Sequence, residues 1–392
     1  MGFGNLPIGL SGAVTLVTVP QLLAAQGTPE SAIALVTTVA LIAGFTNFLL
    51  APVLDWRLSR RTYAIIMALL GGILSFVLLL QTRDLELLAV LVLLQSLAAY
   101  LNQAAVGGWL SSVTSPEQKN ALGAWLQAAN VAAFGVGAGL AILLIRNLPP
   151  GLGAGAVGLL SLVPIPIYLA IPAPPANAKL GHESFRAFLR DVFAVLRRPT
   201  VRWLLFFLVM PAASFALSNT LSGLGGDFGA SEEMVGAVSG VGVAIAGIVG
   251  ALLVPPIIRG FAVDRAYLLI GAVGAASTLL QIALPRIPAT FALGMIGQNG
   301  IQAAAFAAVN VLTLRSIPHN HPLAATQYAL LMAVSGLPLA YMQAIDGAAY
   351  GHGGLTASYL ADALISLSAC AVLAMLLWRR RARAGVEASG VV

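Results

Sequence analysis

Long apolar stretches recur along the whole chain and limit its possible folds more than any other feature. Twelve of them, each near the length of a membrane-spanning helix, are separated by short polar connections. About 20 apolar residues are needed to cross a hydrocarbon layer of roughly 30 Å. Because only 9% of the residues are charged, the chain lacks the polar surface of a water-soluble domain. The sequence therefore predicts an all-α, polytopic membrane protein with twelve transmembrane helices.

The distribution of positive residues predicts which connections stay in the cytoplasm. The spans are expected at 4–25, 31–51, 62–81, 86–109, 121–145, 151–172, 201–224, 234–258, 266–284, 289–313, 323–345 and 355–378. With alternate connections assigned to opposite sides, 17 of the 20 Lys and Arg fall on the side that holds both termini. Positive residues accumulate on the cytoplasmic side of inner-membrane proteins. We therefore predict a multi-pass protein of the bacterial inner (cytoplasmic) membrane with both termini cytoplasmic.

A polar connector near the middle divides the chain into halves. The predicted domains are an N-terminal six-helix bundle (1–172), a cytoplasmic linker (173–200), a C-terminal six-helix bundle (201–378) and a basic tail (379–392). Residues 183–198 carry apolar and basic faces at helical spacing, which favours a helix on the membrane surface. A helix that binds a partner protein is the alternative. Weak similarity at an offset of about 200 residues indicates that the two bundles are pseudo-symmetric.

The connection after the second helix carries an acid and three arginines within seven residues, namely Asp55, Arg57, Arg60 and Arg61. Positive residues alone would fit the general charge distribution, but that distribution does not account for Asp55. An acid at the end of one helix, with arginines entering the next, predicts a charge latch that holds helices together in one conformation only. Asp264 and Arg265 occupy the corresponding connection of the second half, and we include both residues in the predicted latch.

This connection resembles the loop motif of the major facilitator superfamily, G-x-x-x-D-R-x-G-R-R, at Asp55, Arg60 and Arg61. Within that superfamily the chain resembles the AmpG-type muropeptide permeases and their acetyl-CoA transporter relatives. The likeness lies in GFGNLP at 2–7, APVLD at 51–55 and ATQYALL at 325–331. It implies a secondary transporter that works by alternating access, with uptake of a muropeptide or anhydro-sugar-like solute and possible proton coupling. A siderophore or drug-type transporter of the same superfamily is the alternative.

The polar residues of the spans differ from those of the AmpG-type group. That group carries carboxylates in helix four and further charged residues in helices five and seven. In this chain the corresponding stretches contain amides, so the expected cavity is neutral. A buried amide in a membrane faces other helices or a wet cavity. It can join helices to one another or bind a solute. The candidate solute-binding residues are Asn102, Gln103, Gln127, Asn130, Asn219, Gln298, Asn299, Gln302 and Gln327.

Two acids lie in or near the late spans, Asp346 near the end of helix eleven and Asp362 inside helix twelve. A charged side chain within a span is energetically costly and is a candidate for function. We therefore consider both acids as proton-coupling residues. Asp362 is only about two turns from the start of its helix, so contact with outer water is the alternative.

An intramembrane enzyme is the alternative from a different functional class. It would need a nucleophile and a base, or metal ligands, clustered in or beside the spans, yet all four histidines lie in connections. We therefore predict no enzymatic activity, no cofactor and no metal site. The positive residues are spread over short connections, so no nucleic acid is expected as a partner. The expected partners are a small polar solute and the lipid bilayer, and the expected state is a monomer.

Overall fold

A computed structural model gives the structure of residues 1–172 and 185–389. Across those residues the chain forms helices and turns, with no β-strand. The first half contains α1 (Gly2–Ala25), α2 (Glu30–Leu49), α3 (Arg60–Leu80), α4 (Leu85–Val113), α5 (Pro116–Asn147) and α6 (Pro150–Ala170). The second half contains α7 (Pro199–Val209), short helical segments at Leu217–Thr220 and Leu221–Phe228, α8 (Glu232–Gly260), α9 (Val263–Ala283) and α10 (Pro288–Ser316).

The last helical segment, Ala324–Ser389, consists of two helices that meet at a break. Gly353 and Gly354 have non-helical backbone angles, and φ of Gly354 is 63°, a conformation that glycine adopts without steric cost. We name the part before the break α11 and the part after it α12. In the described part of the chain, nine helical segments are long and apolar enough to span a membrane, and one of them, Ala324–Ala382, contains α11 and most of α12. The predicted all-α, polytopic membrane fold is confirmed.

Local sequence signals explain where several helices begin. The hydroxyl of Ser59 accepts a hydrogen bond from the backbone N–H of Thr62 at the start of α3. At the start of α5, Ser115 and Gln118 form a reciprocal capping box, and Pro116 is the first helical residue. The carboxylate of Asp84 accepts two N–H groups at the start of α4. These side chains satisfy amide groups that have no acceptor within the first turn of a helix.

The internal repeat is visible in the helix boundaries. Each boundary of α9 and α10 lies 203 positions after the corresponding boundary of α3 and α4, from 60 to 263, 80 to 283, 85 to 288 and 113 to 316. The same offset relates two buried hydrogen bonds. Gln95 donates to the hydroxyl of Ser75 at 3.1 Å, and Gln298 donates to that of Thr278 at 2.6 Å. Two consecutive helices are therefore joined in the same way in each half.

The opening segment of the chain packs against α5 and α6. The amide of Asn5 donates to the carbonyl oxygen of Leu126 at 3.1 Å. The hydroxyl of Tyr168 donates to the carbonyl oxygen of Gly4 at 2.7 Å. An added Cβ at Gly9 would lie 2.2 Å from the carbonyl oxygen of Asn130, so the two backbones approach too closely for any side chain at that position. The motif at 2–7 thus anchors the first helix.

The linker contains the predicted amphipathic helix, observed at Phe185–Arg197 and named here the connector helix. Residues 183 and 184, with which the prediction began, lie outside the described part of the chain. Val195 is buried, whereas Phe193 and Arg197 are exposed. Binding of this helix to the membrane surface stays a prediction.

The chain forms two compact units. One comprises Met1–Leu204 and Val309–Gly336, and the other comprises Leu205–Ala308 and Leu337–Val392. The first unit therefore contains the end of α10 and the start of α11 together with α1–α6. The sequence-based domain boundaries stay a prediction.

The order of the helices predicts the sidedness of two exposed residues. Arg57 and His352 are separated by the nine helices from α3 to α11, an odd number that places them on opposite sides of the membrane. In a Cys370→Ala background, a cysteine replacing Arg57 should react with a membrane-impermeant maleimide from the cytoplasmic side only. A cysteine replacing His352 should react from the other side only. Labelling of both cysteines from one side would contradict this topology.

Candidate functional site

Asp55 is a buried carboxylate that caps a helix far away in the sequence. It ends the short 3₁₀ turn Ala51–Asp55 and is 3% exposed. Its carboxylate accepts the backbone N–H of Ala325 at 3.2 Å, the N–H of Thr326 at 2.9 Å and the Thr326 hydroxyl at 2.8 Å. These N–H groups belong to the first turn of α11 and have no acceptor within the helix. A negative charge at that end is also favoured by the helix dipole.

Arg60 completes this arrangement from the start of α3. Its Nε lies 2.7 Å from the Asp55 carboxylate, and its Nη2 donates to the carbonyl oxygens of His321 and Pro322, both at 2.8 Å. Nη1 lies 3.5 Å from the hydroxyl of Ser112 at the end of α4. The ion pair thus connects the segment after α2, the end of α4 and the segment that leads into α11. We name it the Asp55–Arg60 latch.

The other residues of the predicted latch lie elsewhere. Arg61 donates to the carbonyl oxygen of Ile171 at 3.2 Å, after the end of α6. Arg57 is exposed, with its guanidinium 4.5 Å from the ring centre of Trp56. In the second half, Asp264 pairs with Arg381 at 3.2 Å in a partly exposed position, and Arg265 is exposed. The structure therefore brings together Asp55 and Arg60 but does not place the other four residues beside them.

Lys119 forms a second connection between α5 and α10, which the sequence did not single out. It is 6% exposed, and its ammonium group donates to the carbonyl oxygens of Leu314 at 2.9 Å and Ile317 at 3.2 Å. The last carbonyls of a helix lack partners within it, and the helix dipole favours a cation there. Lys119 therefore caps the end of α10 as Asp55 caps the start of α11.

Glycines allow α4 and α5 to approach α10 and α11 closely. An added Cβ would lie 2.4 Å from the ring of Tyr328 at Gly107, and 2.5 Å from the backbone nitrogen of Ala325 at Gly108. At Gly123 it would lie 2.8 Å from the backbone nitrogen of Val311. We name these three contacts the seam. Beside it, the hydroxyl of Tyr328 donates to the side-chain oxygen of Asn310 at 2.7 Å.

Three of the candidate amides are bonded to other parts of the protein. Asn102, which is fully buried, donates to the carbonyl oxygen of Ala64 at 2.7 Å and accepts from the hydroxyl of Tyr168 at 3.2 Å. Gln298 donates to Thr278, as described above, and Gln327 donates to the carbonyl and hydroxyl oxygens of Ser316, both at 3.1 Å. These bonds join neighbouring helices or the ends of α10 and α11.

Three further candidates lie in the second half of the chain. Asn299 donates to the carbonyl oxygen of Met295, one turn earlier in its own helix, at 2.9 Å. Gln302 lies 3.4 Å from the carbonyl oxygen of Phe215. The side chain of Asn219 lies outside the described part of the structure.

The remaining candidates, Gln103, Gln127 and Asn130, make no side-chain hydrogen bond to any described residue. Gln103 and Gln127 are 7% and 8% exposed. Gln103 is four residues before Gly107, and Gln127 is four residues after Gly123, so each shares a helix face with a seam glycine. Asn130 follows Gln127 by one turn. The three unpaired amides therefore lie on α4 and α5 within two turns of the seam.

The two acids of the late helices are both buried. Asp346 is 1% exposed, and neither carboxylate oxygen has a hydrogen-bond partner among the described residues. Asp362 is 5% exposed and lies 3.4 Å from the hydroxyl of Ser214. Ser214 lies in the non-helical stretch between α7 and the segment at Leu217–Thr220, where φ of Phe215 is 49°.

The ion pair predicts a specific effect on stability. Asp55→Ala leaves the buried guanidinium of Arg60 without its anion, which should cost about 3–5 kcal/mol. Arg57→Ala removes an exposed guanidinium and should cost less than about 1 kcal/mol. Thermal unfolding of the purified proteins in one detergent measures the difference. Equal midpoints for the two variants would contradict a structural role for the ion pair.

Comparisons with known proteins agree with this geometry. The sequence profile of the Major Facilitator Superfamily matches residues 1–259. A search of curated proteins gives no significant sequence match. The fold is similar to that of the human organic anion transporter MFSD10 (TETRAN), with a TM-score of 0.73, 16% identity, and coverage of 95% of this chain and 97% of that chain. It is also similar to the Escherichia coli fucose:proton symporter FucP, with a TM-score of 0.69, 13% identity, and coverage of 96% and 97%.

The proton:xylose symporter XylE, solved with bound 6-bromo-6-deoxy-D-glucose, has a TM-score of 0.69, 15% identity, and coverage of 96% of this chain and 94% of that chain. At such identities these structures establish the fold alone. The family profile covers 259 of the 392 residues. The protein therefore belongs to the Major Facilitator Superfamily and is a secondary transporter of small solutes rather than an enzyme.

Proposed function

We propose that this transporter carries a small, polar, uncharged solute, and that Gln103, Gln127 and Asn130 bind it. The supporting observation is the contrast between these amides and their neighbours. Asn102, one residue from Gln103, has its hydrogen bonds made within the protein, whereas the three amides have none to described residues. The polar atoms of these three amides are not fully buried, so they remain reachable by water or by a solute. A solute with hydroxyl groups can supply the hydrogen bonds that the protein leaves open.

The two buried cations of the first half favour a neutral solute, because both are already bonded within the protein. Arg60 is paired with Asp55 and bonded to backbone carbonyls, and Lys119 is bonded to two carbonyls. Neither cation is available to balance a strongly anionic solute such as a CoA ester. A buried charge without such compensation would be expensive.

Sugar-like solutes are the class that we favour. The segments at 2–7, 51–55 and 325–331 resemble those of muropeptide permeases, and two similar folds belong to the fucose and xylose symporters. An anhydro-sugar presents several hydroxyl groups, which side-chain amides can both donate to and accept from. A siderophore or drug-type substrate is the second candidate. The bacterial inner membrane, with the latch on the cytoplasmic side, is the proposed location.

The amide site is tested by comparing matched variants. Alanine at Gln103, Gln127 or Asn130 should weaken binding of a solute that it contacts by about tenfold to a hundredfold, since such bonds contribute about 1–3 kcal/mol. Asn102→Ala should instead lower the unfolding midpoint and leave affinity unchanged. The solute is first identified by thermal-shift screening with neutral sugars and anhydro-sugars, and affinities are then measured by calorimetry. If all three variants bind as tightly as the wild type, the proposed site is wrong.

We also propose that Asp346 and Asp362 couple transport to protons. Both carboxyl groups are buried, Asp346 has no partner among the described residues, and Asp362 lies beside Ser214 in the non-helical stretch that follows α7. Discontinuous helices and buried acids often form ion sites in transporters. A buried acid within a span is a suitable carrier of a coupled proton.

Coupling is measured in proteoliposomes with the identified solute. An imposed pH gradient should drive accumulation by the wild type, while Asp362→Asn and Asp346→Asn should exchange solute but fail to accumulate it. The control Asp264→Asn alters a partly exposed acid paired with Arg381 and should accumulate solute normally. Accumulation that ignores the pH gradient in the wild type would contradict proton coupling without affecting the amide site.

A further inference from the structure

His321 lies within the Asp55–Arg60 latch, in the segment that joins α10 to α11. The residue is 5% exposed. Its ring nitrogen Nδ1 accepts the backbone N–H of Leu323 at 3.2 Å, so the neutral ring carries its proton on Nε2. Nε2 is buried and has no hydrogen-bond partner among the described residues. Among the described residues, the site therefore accommodates the neutral ring and provides no acceptor at Nε2 for a charged one.

The charged groups around this segment are mostly positive. Arg60 donates to the carbonyl oxygen of His321 itself, and Arg198 is near enough for its charge to act on the ring. Lys119 holds the start of the same segment through Ile317. The only acid among these groups, Asp55, already binds Arg60 and the first turn of α11. The pKa of His321 is lowered from 6.5 to about 4, mainly because the ring is buried. The positive charges of Arg198 and Arg60 lower it further.

We propose that His321 is a proton-sensing site that releases the Asp55–Arg60 latch when the compartment on that side of the membrane becomes acidic. Protonation places a hydrogen on Nδ1, which can then no longer accept the N–H of Leu323. It also adds a positive charge beside Arg60, whose guanidinium holds the same segment. Both effects weaken the closed latch and favour a state in which the ring reaches water. The inference concerns regulation and holds for any transported solute.

The direction of the pH effect follows from linkage. In the closed latch the pKa of His321 is lowered, whereas a ring that reaches water has an ordinary value near 6.5. The contribution of neutral His321 to the closed state is therefore fully present above about pH 6.5 and is lost as the pH falls towards 4. Between pH 7.5 and pH 5.5 the equilibrium should shift about tenfold towards the open latch. Histidine is the side chain whose ordinary pKa lies in that interval.

Opening can be measured through a cysteine that the closed latch protects. Ser112 is 3% exposed and lies beside Arg60, so Ser112→Cys in a Cys370→Ala background should react with a hydrophilic maleimide only when the latch opens. The same protein unfolded in denaturant gives the intrinsic reactivity of the thiol at each pH. The labelling rate divided by that reactivity should rise about tenfold between pH 7.5 and pH 5.5.

Two variants assign the response to His321. His321→Gln keeps a side-chain acceptor for the N–H of Leu323 but does not titrate, so the labelling rate should no longer rise at low pH. His321→Asn serves the same purpose if the glutamine variant does not fold. His319 is exposed in the same segment, and His319→Gln should respond as the wild type does. The proposal would be overturned if, with His321 intact, the labelling rate divided by the intrinsic reactivity changed less than twofold between pH 7.5 and pH 5.5. An equal rise in the non-titrating variant would do the same.

Discussion

The buried ion pair between Asp55 and Arg60 determines how several segments of the first compact unit meet. Neither group can remain charged in a low-dielectric environment unless its hydrogen bonds are made. The carboxylate of Asp55 accepts hydrogen bonds from Arg60 and from the first turn of α11. The guanidinium of Arg60 also donates to the two backbone carbonyls that precede that turn. The guanidinium presents its N–H groups in a rigid plane, so these bonds also fix the orientation of the helix end. The close approach of α4 at Gly107 and Gly108 requires that orientation.

Opposite charges hold the two ends of the segment between α10 and α11. Lys119 binds the carbonyls at the end of α10, where a cation is favoured, and Asp55 binds the amides at the start of α11, where an anion is favoured. Each side chain replaces hydrogen bonds that a helix end cannot make internally. The segment between them is therefore anchored on both sides. His321, a polar residue, is buried within this anchored segment.

The sequence predicted features that depend on local pattern. The spacing of apolar residues gave most helices to within a few residues, but the span expected at 201–224 is helical only at Pro199–Val209 and in the short segments Leu217–Thr220 and Leu221–Phe228. Asp55 and Arg60 were among the six residues proposed for the latch, and the structure shows them as an ion pair. The sequence could not predict which amides are bonded within the protein and which have no partner, because adjacent residues such as Asn102 and Gln103 face different neighbours. Lys119 and Thr326 could not be assigned either, since their roles depend on segments roughly 200 to 270 positions away along the chain. The repeat was too weak in sequence to reveal that α3 and α4 correspond to α9 and α10 at one fixed offset.

The seam has a consequence for the energetics of a membrane that maintains ion gradients. At Gly107, Gly108 and Gly123, side chains or backbone of α10 and α11 occupy the volume that a Cβ would need. A single file of water molecules, along which protons could hop, therefore has no room to pass at these contacts. The contact at Gly107 is with the ring of Tyr328, and the contacts at Gly108 and Gly123 include backbone atoms, so the helices touch directly at all three points. As long as these contacts hold, ions cannot leak between the helices at the three glycines.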